Sequence, residues 1–157
     1  IENDKMLRHV EYGYYDFSSN EKETKDFVIE SIQYSPSTIS VLPQYVKTIK
    51  KHMPRNVKLG TIIDYPFGLS DYAEREASVE RAIKQGVDSI EVVCPNHALC
   101  NRKYDRFRLE VDTFKKHCID AQVDLKYVLE YLGTIWLLVL MFRFPNYKRL
   151  NNSSFFY

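Results

Sequence analysis

The sequence carries no excess of charge, no disulfide pattern and no long hydrophobic run. Its 22 basic residues nearly balance 21 acidic ones, for a net charge of +1, so nothing in the composition argues for nucleic acid or an anionic membrane as a partner. The three cysteines are an odd number without small-domain spacing, which fits a reducing, cytoplasmic setting better than a disulfide framework. The most apolar stretch, Ile135–Phe142 (IWLLVLMF), is eight residues long, whereas a helix crossing a bilayer needs about 20. Repeats and low-complexity linkers are absent, as is a basic-then-apolar signal segment. The chain opens Ile1-Glu2-Asn3 without an initiator methionine, and the expectation is that it is a piece of something longer.

What is present is a strand, helix and strand in close succession. Val57–Asp64 is a short apolar run closed by the turn residues Asp64-Tyr65-Pro66-Phe67-Gly68. From Asp71 to Gln85 the apolar spacing becomes helical, with Ala73, Ala77, Val79, Ala82 and Ile83, and Gly86 stands at the C-cap position. Ser89–Val93 (SIEVV) is a second β-branched run, interrupted by one acid, Glu91. Such a unit implies parallel strands joined by a right-handed crossover.

The flanking segments extend the alternation. Tyr12–Phe17 reads as a first strand ending at Asp16, with Ser18, Ser19 and Asn20 as helix caps before a helix reaching about Gln33. Thr38–Leu42 is a second strand, followed by Pro43 at a first helical turn and by Tyr45, Val46, Ile49 and Met53 at helical spacing up to Pro54. Lys47, Lys50, Lys51 and His52 read as a solvated face. Asn96–Asp105 reads as a polar loop, and Phe107, Val111, Phe114 and Cys118 form a helical stripe. Asp124–Glu130 is a fifth strand, on which Lys126, Val128 and Glu130 share one face. Five strands alternating with helices make an α/β parallel sheet. At 157 residues the chain suits one domain but falls short of the roughly 200 of a full (β/α)8 barrel.

The order of words in the central unit resembles the deoxyribose-phosphate aldolase family. There the turn reads approximately G/N-F-P-x-G and the helix end and strand A-I-x-x-G-A-D-E-I/V-D-x-V; here the counterparts are Asp64–Gly68, Ala82–Gly86 and Val87–Val93. The resemblance runs from about residue 12 to 130. It implies a partial TIM barrel of about five βα units over 1–132, with a divergent tail at 133–157, and no cofactor. The implied reaction is reversible cleavage of 2-deoxyribose 5-phosphate to glyceraldehyde 3-phosphate and acetaldehyde through a lysine Schiff base, a small sugar phosphate being the partner.

Carried over residue by residue, the resemblance places catalytic roles on Asp16, Glu91 and Lys126, and substrate contacts on Ser18, Ser40 and Glu130. Glu91 replaces an aspartate, a lengthening by one methylene that displaces the carboxylate by about 1 Å, an error able to cost roughly a hundredfold in rate. The family's Lys-Thr-Ser-Thr-Gly word, which holds the Schiff-base lysine, and its later glycine-rich phosphate loops have no counterpart in this sequence. Lys126, on a strand facing Glu91 and Asp16, is expected to be ion-paired and blunted as a nucleophile, so the chain is expected to be inactive by itself.

Other readings stay open at this point. A buried Glu91–Lys126 pair could be a satisfied ion pair without chemistry. Cys94, His97 and Cys100 have zinc-compatible residue types, but Cys118 lies on an apolar stripe and Cys94 ends a strand, so no metal is assigned. The run Ile135–Phe142 is either a buried element replacing absent barrel units or part of a tail read from a shifted frame or unremoved intron. A half barrel would expose two strand edges, which points to a homo-oligomer, and a non-catalytic dimerisation or partner-binding module is the alternative function.

Overall fold

The computed structural model describes residues 9–129 and 140–142. Five parallel strands run in chain order: β1 Glu11–Tyr14, β2 Thr38–Val41, β3 Lys58–Ile63, β4 Ser89–Val93 and β5 Asp124–Leu129. Between them lie α1 Glu21–Ile32, the single-turn α2 Val46–Ile49 flanked by 3-10 turns, α3 Tyr72–Gln85, the short α4 Asn96–Cys100 and α5 Tyr104–Asp120. This is the alternation of a partial (β/α)8 barrel. A sixth strand, β6 Leu140–Phe142, pairs antiparallel with β5. It comes from the apolar run at 135–142 and occupies the β5 edge that a half barrel was expected to leave open.

Local chemistry sets most boundaries. Asn20 forms a capping box with Glu23, each side chain bonding the other's backbone N–H. Asp71 caps α3 at the Glu74 N–H, and Gly86 ends that helix in the left-handed region at φ 79°. Two expectations fail. The polar stretch after β4 is not all loop, because Asn96–Cys100 winds into α4 behind Pro95. On α3 the alanines Ala73 and Ala77 face outward, and the buried stripe is Arg75, Val79 and Ala82.

Strand alternation divides the sheet into two faces. The outer face carries Ile39, Val41, Leu59, Ile63, Ile90, Val92, Leu125 and Tyr127, which form one core with Val28, Val46, Ile49, Val79, Val111 and Phe114 from the helices. Each such aliphatic side chain, fully buried, contributes about 1.5–3 kcal/mol. The inner face is different: Leu42, Ile62 and Val93 form only a small cluster, ringed by Tyr15, Tyr45 and Tyr65. Its remaining positions are largely polar, and they hold the site.

Candidate functional site

Ser89–Val93 is buried throughout, but register sorts its residues: Ile90 and Val92 point to the helices, Ser89, Glu91 and Val93 inward. Glu91 stands opposite Ile62 of β3 and Lys126 of β5, and is 8% exposed. Lys126 was expected to face both Glu91 and Asp16; register sets it beside Glu91, while Asp16 bonds Ser18 in a turn. The acid that Lys126 grips, however, is Glu11: its Nζ donates to both carboxylate oxygens. Glu11 opens β1, two residues before Gly13 on the same face.

Asp16 lies elsewhere. It follows the end of β1 in an exposed turn, where it accepts from the Ser18 hydroxyl at 2.7 Å and the Ser18 N–H at 2.8 Å. These bonds, the hydroxyl's foremost, hold its carboxyl below the usual aspartate value. Asp16 and Ser18 thus form a local turn, and the strand acid facing Lys126 comes from five residues earlier. Glu130 lies outside the described residues.

The phenol of Tyr15 donates to Glu91 Oε2 at 3.3 Å. Burial of its hydroxyl, then the Glu91 charge, push Tyr15 well above the ordinary tyrosine range, with the Ser40 hydroxyl acting the other way. Ser40 is almost completely buried; its Oγ lies close to that phenol, but among the described residues neither it nor the buried Ser89 Oγ makes a hydrogen bond of sound geometry. Between these two serines, in register, sits Gly60. A Cβ on Gly60 would come within 2.0 Å of Ser40 Oγ, so this glycine makes room for the hydroxyl.

A second polar network braces the loops at the strand ends. Arg75, 1% exposed, donates from Nε and Nη2 to Glu110 at 3.0 and 2.8 Å, from Nη1 to Asp64 at 2.5 Å, and from Nη2 to the Val93 carbonyl at 2.7 Å. Tyr127 donates to the same Glu110. Burial opposes the Arg75 charge, but Glu110 and Asp64 outweigh it and raise the guanidinium further. Asp64, at φ 61°, also accepts from the N–H and hydroxyl of Ser70. Asn96 then ties this loop to the next one by donating to the Phe67 and Gly68 carbonyls. Gly68, at φ 61°, packs against the Cys94 carbonyl so closely that a Cβ would stand 2.1 Å from it.

Sequence reasoning missed Glu11, Tyr15 and this arginine network. Period-two alternation back from Gly13 was the available signal for Glu11. Among the described residues, no group of three or more His, Cys, Asp and Glu could hold a metal ion. Cys94 is buried, and burial raises its thiol to about 12, while His97 and Cys100 are exposed. No helix among the described residues is long and apolar enough to cross a membrane.

The curled parallel sheet with its flanking helices has counterparts among known proteins. The chain resembles the deoxyribose-phosphate aldolases. It is 24% identical to the deoxyribose-phosphate aldolase of Clostridioides difficile over 125 residues, which cover 80% of this chain and 56% of that enzyme. Among solved structures, an aldolase called QR15 superposes with a TM-score of 0.73 at 22% identity, covering 81% of this chain and 57% of that one. The deoxyribose phosphate aldolase from Aeropyrum pernix, described as tetrameric, superposes with a TM-score of 0.71 at 16% identity, covering 80% and 52%. No protein-family model matches. The chain spans about half the length of the curated relatives it matches.

Proposed function

We propose that residues 1–132 supply the acid-bearing part of an aldolase-type barrel in the deoxyribose-phosphate aldolase lineage, and that 133–157 is a divergent tail. The whole reaction is cleavage of 2-deoxyribose 5-phosphate to glyceraldehyde 3-phosphate and acetaldehyde, in the cytoplasm and without a cofactor. The observation that carries this reading is the register of Glu91 with Lys126 on the inner face, with Glu11 gripping the lysine. Glu91 is the group that moves protons. Lys126 is the cation beside it, and Glu11 takes the first-strand acid role that sequence reasoning gave to Asp16. Ser40 lines the substrate space, and the Asp16–Ser18 turn closes the end of β1.

An amine held by a carboxylate is a poor nucleophile, and a Schiff base requires a free one. The Schiff-base lysine is therefore assigned to no residue of this chain, and these 157 residues alone do not turn over the sugar phosphate. Borohydride reduction in the presence of 2-deoxyribose 5-phosphate, followed by peptide mass mapping, tests this directly. The expected result is no adduct on any lysine. An adduct on Lys126 would overturn it.

A second reading follows from the edge of the sheet. Among the described residues β1 pairs with β2 alone, so its outer edge offers backbone groups to another strand. On this reading the chain is a dimerisation module, and sedimentation equilibrium decides: a stable dimer supports it, a monomer at all concentrations contradicts it.

A further inference from the structure

We propose that Tyr15 is a positioning residue for Glu91, holding the carboxylate through a phenol hydrogen bond that reaches from the end of β1 across the inner face to β4. The inference rests on the reading of Glu91 as the proton-moving acid. Contact between the two is direct, Tyr15 OH to Glu91 Oε2 at 3.3 Å. The ring that presents the hydroxyl is itself fixed. Tyr15 lies 5.2 Å from Tyr65, which stacks on Phe17 at 5.3 Å, and both tyrosines pack on Leu42, Ile62 and Val93. A side chain so confined brings its hydroxyl to one place.

The chemistry of the surroundings supports a donor there. Glu91 from β4 and Glu11 from β1 both disfavour a phenolate, so the hydroxyl keeps its proton throughout the neutral range. Lys126 of β5 stands beside Glu91 in register and is gripped by Glu11. Ser40 of β2 holds a buried hydroxyl next to the phenol, without a hydrogen-bond partner among the described residues, in the gap that Gly60 leaves. A turn of that hydroxyl makes Ser40 the donor to Tyr15 as Tyr15 donates to Glu91, a chain running from β2 to β4. A phenol that donates to a carboxylate favours its ionised form and sets its orientation. A tyrosine that merely filled space beside Tyr65 would do neither.

The test is a carboxyl titration followed by NMR on the intact chain, labelled with 13C in glutamate and tyrosine, the Glu91 signal being assigned by its loss in Glu91→Gln. In the unmodified protein the Tyr15 Cζ resonance is expected to inflect at the pH where Glu91 takes its proton. In Tyr15→Phe the Glu91 midpoint is expected to rise. At 3.3 Å the bond is longer than the usual 2.5–3.0 Å, so a rise of about half a unit, roughly threefold in the ionisation constant, is appropriate. Ser40→Ala is expected to move it the same way by less. A Tyr15 signal without inflection, or an unmoved Glu91 midpoint in folded Tyr15→Phe, overturns the proposal. Should that variant not fold, the inflection in the unmodified protein decides alone. Turnover is not required, so an adduct trapped on Lys126 would overturn the role given to that lysine without touching this result.

Discussion

Glu11 and Lys126 lie on β1 and β5, with three strands between them, yet their side chains form an ion pair. In a flat sheet, four steps of about 4.8 Å would separate those strands by roughly 19 Å. The pair can form only because the sheet curls as a barrel wall does, bringing the inner faces of its first and fifth strands together. Curl thus converts residues 115 positions apart into neighbours of Glu91.

The Arg75 network is the most vulnerable part of the structure. Breaking a buried ion pair by removing one partner costs about 3–5 kcal/mol, and Arg75→Met would leave Glu110 and Asp64 facing each other without their cation. The expected outcome is a large fall in the urea midpoint or failure to fold. Arg75→Lys keeps the charge but loses the forked geometry, and should fall between. A midpoint unchanged in Arg75→Met would show that the network is not holding the loops.

The two crowded glycines should respond differently to the same change. Gly60→Ala meets a serine hydroxyl, and overpacking of this kind costs about 1–3 kcal/mol. Gly60→Ala combined with Ser40→Gly should recover most of that loss. Gly68→Ala meets the backbone carbonyl of Cys94 at a positive φ, so no side-chain deletion should rescue it. Urea denaturation of the three variants checks both statements.

Thiol reactivity should separate the cysteines. Burial raises Cys94 and Cys118 to about 12, which leaves almost no thiolate at neutral pH, whereas Cys100 is exposed. At pH 8 a thiol reagent should modify Cys100 quickly and the other two only on unfolding. Fast modification of Cys94 in the folded protein would contradict the packing around Arg75.

Asp16 supplies a pH dependence. Its folded value is depressed by Ser18, so its contribution is present above the unfolded value of about 3.9 and is lost as pH falls through the lower folded value. The group is fully exposed, so the contribution is small. Ser18→Ala should move the Asp16 midpoint upward in a carboxyl NMR titration. An unmoved midpoint would place the turn's stabilisation elsewhere.

Much of this was legible in the sequence, because strands and helices here obey their periods. The unit from Lys58 to Val93 was readable from its β-branched runs, the helical spacing from Asp71 to Gln85 and Gly86, and Glu91 stood out as an acid among aliphatics. Asp16 was misleading for a physical reason. It ends an aromatic run that looks like strand, but hydrogen-bonded pairing stops at Tyr14, and the residues beyond turn to cap α1. Arg75 was hidden because an arginine on a helix reads as solvent-facing. Its burial depends on Asp64 and Glu110, 11 and 35 positions away, and no local pattern reports such partners.

The inner faces of β1 and β5 meet, joined by Glu11 and Lys126, and form an acid-bearing wall. A double-mutant cycle with Glu11→Gln and Lys126→Met, read by urea denaturation, measures that meeting most directly. For charges in contact on one partly buried face the predicted coupling is about 1 kcal/mol or more, with each single variant less stable than the parent. A coupling near zero, the two losses simply adding, would mean that the strands do not meet and that the site is not assembled.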